Sequence, residues 1–160
     1  MTQSHHWFVI PMTFLVAFIL TLLPMPEWTV WVRPVWVLMV VIYWVMMAPH
    51  QVNVGTAWLA GIFLDVLNGT LLGEHALAMT LVAYLTVRMS SRLRMFPLLQ
   101  QGLVVMILVL LYQFVLFCVQ GFLDQLPSTW LFWTPPVTSM LLWPWVSSII
   151  KDWRRRYRAI

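Results

Sequence analysis

The stretch that decides the fold runs from Gly102 to Phe122 and reads GLVVMILVLLYQFVLFCVQGF, 21 residues without a charged side chain. At 1.5 Å rise per residue, a helix of this length is about 30 Å long, which matches the hydrocarbon core of a bilayer. Gln113 and Gln120 are its strongly polar residues, and such residues usually hydrogen-bond to neighbouring helices. The stretch therefore predicts a transmembrane helix.

The composition of the whole chain agrees with a membrane protein. Hydrophobic residues make up 62% and charged residues 9%, and so few polar side chains could not cover the surface of a soluble protein. The basic residues flank apolar runs, so we expect them to contact anionic lipids and not nucleic acid. The single cysteine, Cys118, lies within an apolar run and has no second cysteine with which to form a disulfide.

Five further apolar runs complete the predicted fold, an all-α integral membrane protein with one polytopic domain over residues 1–160. The six predicted spans are 7–23, 34–48, 54–68, 71–87, 102–122 and 131–150. We expect the first span to be retained, because it lacks the basic start and the small-residue cleavage site of a signal peptide. The third is the weakest because it is short and contains a carboxylate, and as a re-entrant loop it would leave five spans. Pro144 predicts that the sixth is bent or shortened.

Eight of the nine Lys and Arg residues lie in two clusters, which predict the orientation: Arg88, Arg92, Arg94, and Lys151, Arg154, Arg155, Arg156, Arg158. Basic segments next to spans stay in the cytoplasm, so the prediction is an inner-membrane protein with both termini inside. In this orientation Trp36 is expected near the outer interface and Trp153 near the inner one.

The third span contains the sharpest polar feature, Asp65. Gly61, Asp65, Gly69 and Gly73 recur every four residues, with Gly55 further back. This spacing places glycines on one helix face, where they permit close approach of another helix. One reading is that Asp65 binds a cation, a substrate amine or a partner's arginine. The other is that it hydrogen-bonds to backbone and locks the packing.

Arg33 and Pro34 mark the expected outer edge of the second span, with Pro34 well placed for the first helical position. Arg33 has two readings: it pairs with Asp65 or Glu74 across helices, or it anchors the helix at a lipid phosphate.

Catalytic and metal-binding patterns do not occur in this sequence. It contains no HExxH, no cluster of Cys and His, no GxSxG and no phosphate-binding glycine loop. The sequence therefore predicts a protein that is not an enzyme and that binds no metal or cofactor.

Motifs along nearly the whole chain resemble the MreD family of rod shape-determining membrane proteins, most closely its proteobacterial branch. The residues that carry the resemblance are Arg33-Pro34-x-Trp36, Tyr43-Trp44, Ala48-Pro49-His50-x-Val52-Asn53-Val54-Gly55-Thr56, Gly61-x-x-x-Asp65, Gly69, Leu72-Gly73, Ala76-Leu77-Ala78-Met79, Ala83-Tyr84-Leu85, Gln100-Gln101 and Leu142-Trp143-Pro144-Trp145. Residues 122–136 match least.

The resemblance implies a non-enzymatic subunit of the cell-elongation complex, required for rod shape and lateral peptidoglycan synthesis. The implied partners are MreC directly, and MreB, the RodA glycosyltransferase and its transpeptidase through the complex. The implied fold is similar to the S-components of energy-coupling-factor transporters, and this leaves open the alternative of a small-molecule-binding transporter subunit. The family's best-marked region holds the candidates for partner binding or structure: Arg33, Pro34, Gly55, Gly61, Asp65, Gly69 and Gly73. The candidates for cytoplasmic contact with lipid or a partner are Arg88, Arg92, Arg94, Arg154, Arg155 and Arg156.

Overall fold

In the computed structural model the described residues are 9–22, 36–47, 52–68, 73–122 and 135–158. They form six α-helices: α1 Val9–Leu22, α2 Trp36–Met47, α3 Val54–Asn68, α4 Glu74–Leu93, α5 Leu98–Phe122 and α6 Pro135–Arg158. The all-α class is therefore confirmed for this part of the chain. Three candidate site residues, Arg33, Pro34 and Gly69, lie outside the described residues.

Helix α2 is the centre of the bundle. Its ten residues from Val37 to Met46 are all buried, which is the pattern of a helix that is apolar on every side and surrounded by other helices. It packs against α1, α4, α5 and α6, whereas α3 packs mainly against α4. The Trp44 indole N–H donates a hydrogen bond of 2.8 Å to the Thr13 hydroxyl, and this bond ties α2 to α1 inside the apolar core.

Among the described helices, α5 is long and apolar enough to cross a membrane by length and composition, and α1, α2 and α3 are shorter apolar helices. Asn53 begins α3, because its side-chain oxygen accepts hydrogen bonds from the amides of Gly55 and Thr56 at 3.0 and 3.4 Å. These are the bonds of a helix N-cap. The number of membrane crossings stays a prediction.

Three helices extend beyond the predicted spans. Helix α4 continues to Leu93 and α5 begins at Leu98, so Arg88 and Arg92 lie on a helix and only residues 94–97 form the connection. The predicted spans end at 87 and begin again at 102, which left residues 88–101 as a basic loop; that loop is wrong for residues 88–93 and 98–101, which are helical. Arg94, Met95 and Phe96 donate backbone hydrogen bonds back to the last turn of α4, which makes the connection tight.

Helix α6 runs to Arg158 and contains Pro144 in its interior, so of the two expectations for the sixth span, bent or shortened, the shortened helix is wrong and the bend stays a prediction. Proline removes only one backbone donor, and the bundle contacts on both sides of it keep the helix continuous. Trp143 before the proline is fully buried, and Ile150 after it is also buried.

A cavity of about 190 Å³ is lined by both Trp36 and Trp153. Their assignment to the outer and inner interfaces stays a prediction. Met47, at the other end of α2, lines a second cavity with Ser147 and Lys151. Both ends of α2 thus approach the same part of α6.

Candidate functional site

Asp65 binds the start of α4 through both of its carboxyl oxygens. Oδ2 accepts a hydrogen bond of 2.8 Å from the amide of Gly73, and Oδ1 accepts one of 3.0 Å from the amide of His75. The first amides of a helix have no partner within the helix and carry partial positive charge, so a carboxylate is well suited to them. Asp65 is 1% exposed, and this cap therefore forms inside the protein.

His75 adds a side-chain contact to the same carboxylate, since its Nδ1 lies 2.7 Å from Oδ1 of Asp65. A carboxylate can only accept, so we assign the proton to Nδ1 of His75. Gly73 supports the turn with φ of 103°, a left-handed conformation that glycine adopts without strain. The contacts of Asp65 with Gly73 and His75 thus hold the start of α4 against α3.

Gly61 lies at a close approach of α3 to the backbone of α4. A Cβ placed on Gly61 would lie 2.3 Å from Cα of Ala76 and 2.6 Å from its backbone nitrogen. Any side chain here would therefore meet backbone, which cannot rotate away. The glycine face could contact a helix of this chain or a helix of a partner. In the structure Gly61 contacts α4 of this chain.

A second buried acid extends this region to α5. Glu74, which is 5% exposed, accepts a hydrogen bond of 3.3 Å at Oε1 from the side-chain amide of Gln120. The ring of Tyr112 lies 6.2 Å from that of His75. We call Asp65, Glu74, His75, Tyr112 and Gln120 the polar junction, because they join α3, α4 and α5 at one end of the bundle.

The hydrogen bonds of the polar junction hold α3 against α4 and α4 against α5. Both oxygens of Asp65 are engaged with the start of α4, and Glu74 is held by α5. No group of three or more His, Cys, Asp and Glu side chains that could hold a metal ion occurs among the described residues. The junction therefore positions helices: Asp65 contacts His75, Glu74 accepts a hydrogen bond from Gln120, and Tyr112 adds a ring contact with His75.

A buried contact that the sequence reasoning did not assign lies next to the connection between α4 and α5. The Gln101 amide nitrogen donates to the carbonyl oxygen of Leu93 at 2.8 Å, and its oxygen accepts from the indole N–H of Trp143 at 3.4 Å. The Trp143 ring lies 6.3 Å from that of Tyr43. Gln101 thus links α4, α5 and α6. The available signal was that these residues occur in three separate motifs, Tyr43-Trp44, Gln100-Gln101 and Trp143-Pro144.

We expect replacement of Gln101 by leucine to lower the free energy of unfolding by about 2 kcal/mol. The change leaves the buried indole N–H of Trp143 without a partner, which costs roughly 1–3 kcal/mol. It also removes one of the two hydrogen bonds to the Leu93 carbonyl, which still accepts from the Phe96 amide. The measurement is thermal unfolding in mild detergent, with the exposed neighbour Gln100 changed to leucine as the matched control. Equal stability of the two variants would show that the Gln101 contacts contribute nothing.

The basic candidates lie at the ends of α4 and α6. Arg88, Arg92, Arg94 and Arg155 are exposed, and the Arg88 guanidinium lies 5.4 Å from the centre of the Tyr84 ring. The side chains of Arg154 and Arg156 are outside the described part of the structure. Arg94 and Lys151 line the same cavity, so the structure brings the two basic clusters together at one end of the bundle.

Comparison with known proteins assigns the chain to a family. The model of the family described as rod shape-determining protein MreD matches residues 1–152. The chain belongs to the MreD family. It is 32% identical over 152 residues to the rod shape-determining protein MreD of Haemophilus influenzae, covering 95% of this chain and 94% of that protein.

Membership of the MreD family confirms the resemblance found in the sequence and places this membrane protein in the determination of cell shape. No solved structure matches the chain, so the likeness to transporter S-components stays a prediction. The polar junction and the contacts of Gln101 therefore stabilise the helix packing in a member of this family.

Proposed function

We propose that this chain is a non-enzymatic, multi-pass subunit of the bacterial inner membrane that supports rod shape by binding MreC. Through MreC it would act with MreB, RodA and the elongation transpeptidase. The observation that carries the proposal is the family match over residues 1–152. Six spans with both termini in the cytoplasm, and a fold similar to S-components, are part of the same proposal.

The buried acidic residues contact other parts of this chain, which supports a role in binding partner proteins rather than in catalysis. Asp65 and Glu74 are buried and hydrogen-bonded to other parts of this chain. The two described cavities are lined by other residues, so the alternative of a small-molecule-binding subunit gains no support from the polar junction. Association with partner proteins needs only an outward surface.

The outward face of α3 is the surface that we propose for the membrane helix of MreC. We define the α3 face as Trp58, Leu59, Phe63, Val66 and Leu67, five large apolar residues that are all exposed. Helix α3 has 15 residues and is about 22 Å long, which is shorter than the hydrocarbon core. A helix that is too short for the bilayer gains from association with another protein. Gly61 is already covered by α4 and leaves no room for a second helix.

Photo-crosslinking from the α3 face tests this proposal. A benzophenone amino acid in place of Phe63 is expected to crosslink MreC at least about five-fold more than the same residue in place of Phe114. These positions make a matched pair, because both are phenylalanines exposed on helices, at 62% and 54%. Crosslinking would be carried out in growing cells, followed by detection of MreC by mass.

The two levels of the proposal fail in different ways. Equal crosslinking from Phe63 and Phe114, or crosslinking from Phe114 alone, would overturn the α3 face while leaving MreC as the partner. If no MreC is captured from either position or by pull-down of the solubilised complex, the proposed function itself is wrong.

A further inference from the structure

The second cavity, of about 200 Å³, lies where the two basic clusters meet. It is lined by Arg94 and Phe96 from the connection after α4, Leu98 and Gln101 from α5, Met47 from α2, and Ser147, Ser148 and Lys151 from α6. Arg94 and Lys151 are 57 residues apart in the sequence, from the difference of their numbers. Only the fold brings these two cations to one site.

Among the residues that line this cavity in the described part of the chain, none is acidic. Among the described residues, neither Arg94 nor Lys151 makes a salt bridge, and the neighbouring carboxylate Asp152 is not part of the cavity wall. The Arg94 Nε donates to the carbonyl oxygen of Ser90 at 3.3 Å. This bond holds the side chain in place and leaves the other guanidinium donors available, because arginine has five N–H groups.

The wall of the cavity is mixed in character, and this restricts the ligand. Met47, Phe96 and Leu98 contribute apolar surface, whereas Arg94, Lys151 and Ser148 contribute groups that bind anions. Arginine binds phosphate oxygens in a bidentate way, and lysine supplies a point charge. A ligand that carries a phosphate next to an apolar chain matches both parts of the wall.

We propose that this cavity binds the phosphate group of an anionic phospholipid, with Arg94, Lys151 and Ser148 on the phosphate and Met47, Phe96 and Leu98 on the adjoining glycerol and acyl carbons. Free phosphate shares the same anionic chemistry but leaves the apolar wall without a partner. The lipid is also present at high concentration around a membrane protein, and juxtamembrane basic residues are attracted to the anionic leaflet.

The test compares two double variants with the same change in charge. Arg94→Gln with Lys151→Gln removes both cations from the cavity. Arg92→Gln with Arg155→Gln removes two exposed cations that do not line it. The full-length protein in mild detergent would be titrated with dioleoyl phosphatidylglycerol, and the bound lipid counted by native mass spectrometry. Thermal unfolding of each variant checks that the fold is kept.

We expect the cavity variant to bind phosphatidylglycerol about thirty-fold more weakly, the factor that corresponds to about 1 kcal/mol from each of two cations. The control variant should stay within about three-fold of the wild type. An equal loss in both variants would overturn the proposal, because it would mean that total charge and not this site binds the lipid. No loss in the cavity variant, or no retained lipid in the wild type, would overturn it as well.

A second arm distinguishes lipid from free phosphate. Inorganic phosphate and glycerol 3-phosphate are added as competitors at millimolar concentration. The lipid assignment predicts that neither displaces phosphatidylglycerol by more than about two-fold. Complete displacement by inorganic phosphate, with the same sensitivity to Arg94 and Lys151, would overturn the lipid and identify a site for free phosphate.

Discussion

Replacement of Gly61 by alanine is expected to lower the free energy of unfolding by about 3 kcal/mol or more and to abolish rod shape. The added Cβ would lie 2.3 Å from Cα and 2.6 Å from the backbone nitrogen of Ala76. Neither atom can rotate away, so α3 would have to move as a unit. Overpacking of a well-packed interior typically costs about 1–3 kcal/mol, and more where backbone must shift. The displaced α3 would also carry Asp65 away from the start of α4.

The control for this prediction is Gly102→Ala on α5. A Cβ at Gly102 would lie 3.6 Å from the nearest atoms of Met140, which is an ordinary van der Waals contact. Alanine is also the better helix former, so this variant should be as stable as the wild type or slightly more stable. The measurements are thermal unfolding in detergent, the amount of protein in the membrane, and the shape of cells that depend on the variant. If Gly61→Ala cells stay rod-shaped with normal protein levels, the close contact of α3 with α4 is wrong.

Replacement of Asp65 by asparagine is expected to have an effect of similar size, roughly 3 kcal/mol. Asparagine keeps the shape of the side chain but turns one acceptor oxygen into an NH₂ group. One of the two amides, that of Gly73 or that of His75, is then left buried without an acceptor. A lost hydrogen bond to a charged group is worth about 1.5–3 kcal/mol, and the loss of the favourable interaction with the helix dipole adds about 0.3–1 kcal/mol.

Hydrogen exchange gives this second prediction a local readout. The amides of Gly73 and His75 should exchange faster in Asp65→Asn than in the wild type, while the amides of the central helix α2 should change little. Asp152→Asn is the matched control, because Asp152 is an exposed carboxylate on α6. A destabilised Asp65→Asn protein with unchanged exchange at Gly73 and His75 would show that Asp65 does not act as the cap of α4.

These two predictions concern the region that the sequence already marked as special. The four-residue spacing of Gly61 and Asp65 predicted a close helix contact, because the spacing is a local property of a helix face. Whether that contact was internal or belonged to a partner could not be read from the spacing. The choice depends on the tertiary packing, which places α4 of this chain against α3.

Two other features could not be predicted from local sequence, because they depend on the surrounding structure. Pro144 predicted a bent or shortened helix, and the tertiary contacts of Trp143 and Ile150 keep α6 continuous, so it is not shortened. Arg88 and Arg92 were expected in a loop, because the predicted fourth span ended at residue 87. They lie instead on the end of α4, where long basic side chains extend from the helix into solvent or headgroups.

The sequence by itself determined that this is an all-helical membrane protein of the MreD family, because the length of apolar runs and the motifs along the chain are properties of consecutive residues. Only the tertiary structure decided which helices touch. It directed Asp65 to the amides of α4, buried Gln101 against Trp143, and brought Arg94 and Lys151 to one cavity. The physical reason is that such contacts depend on the crossing of helices far apart in sequence, and no local pattern of residues specifies that crossing.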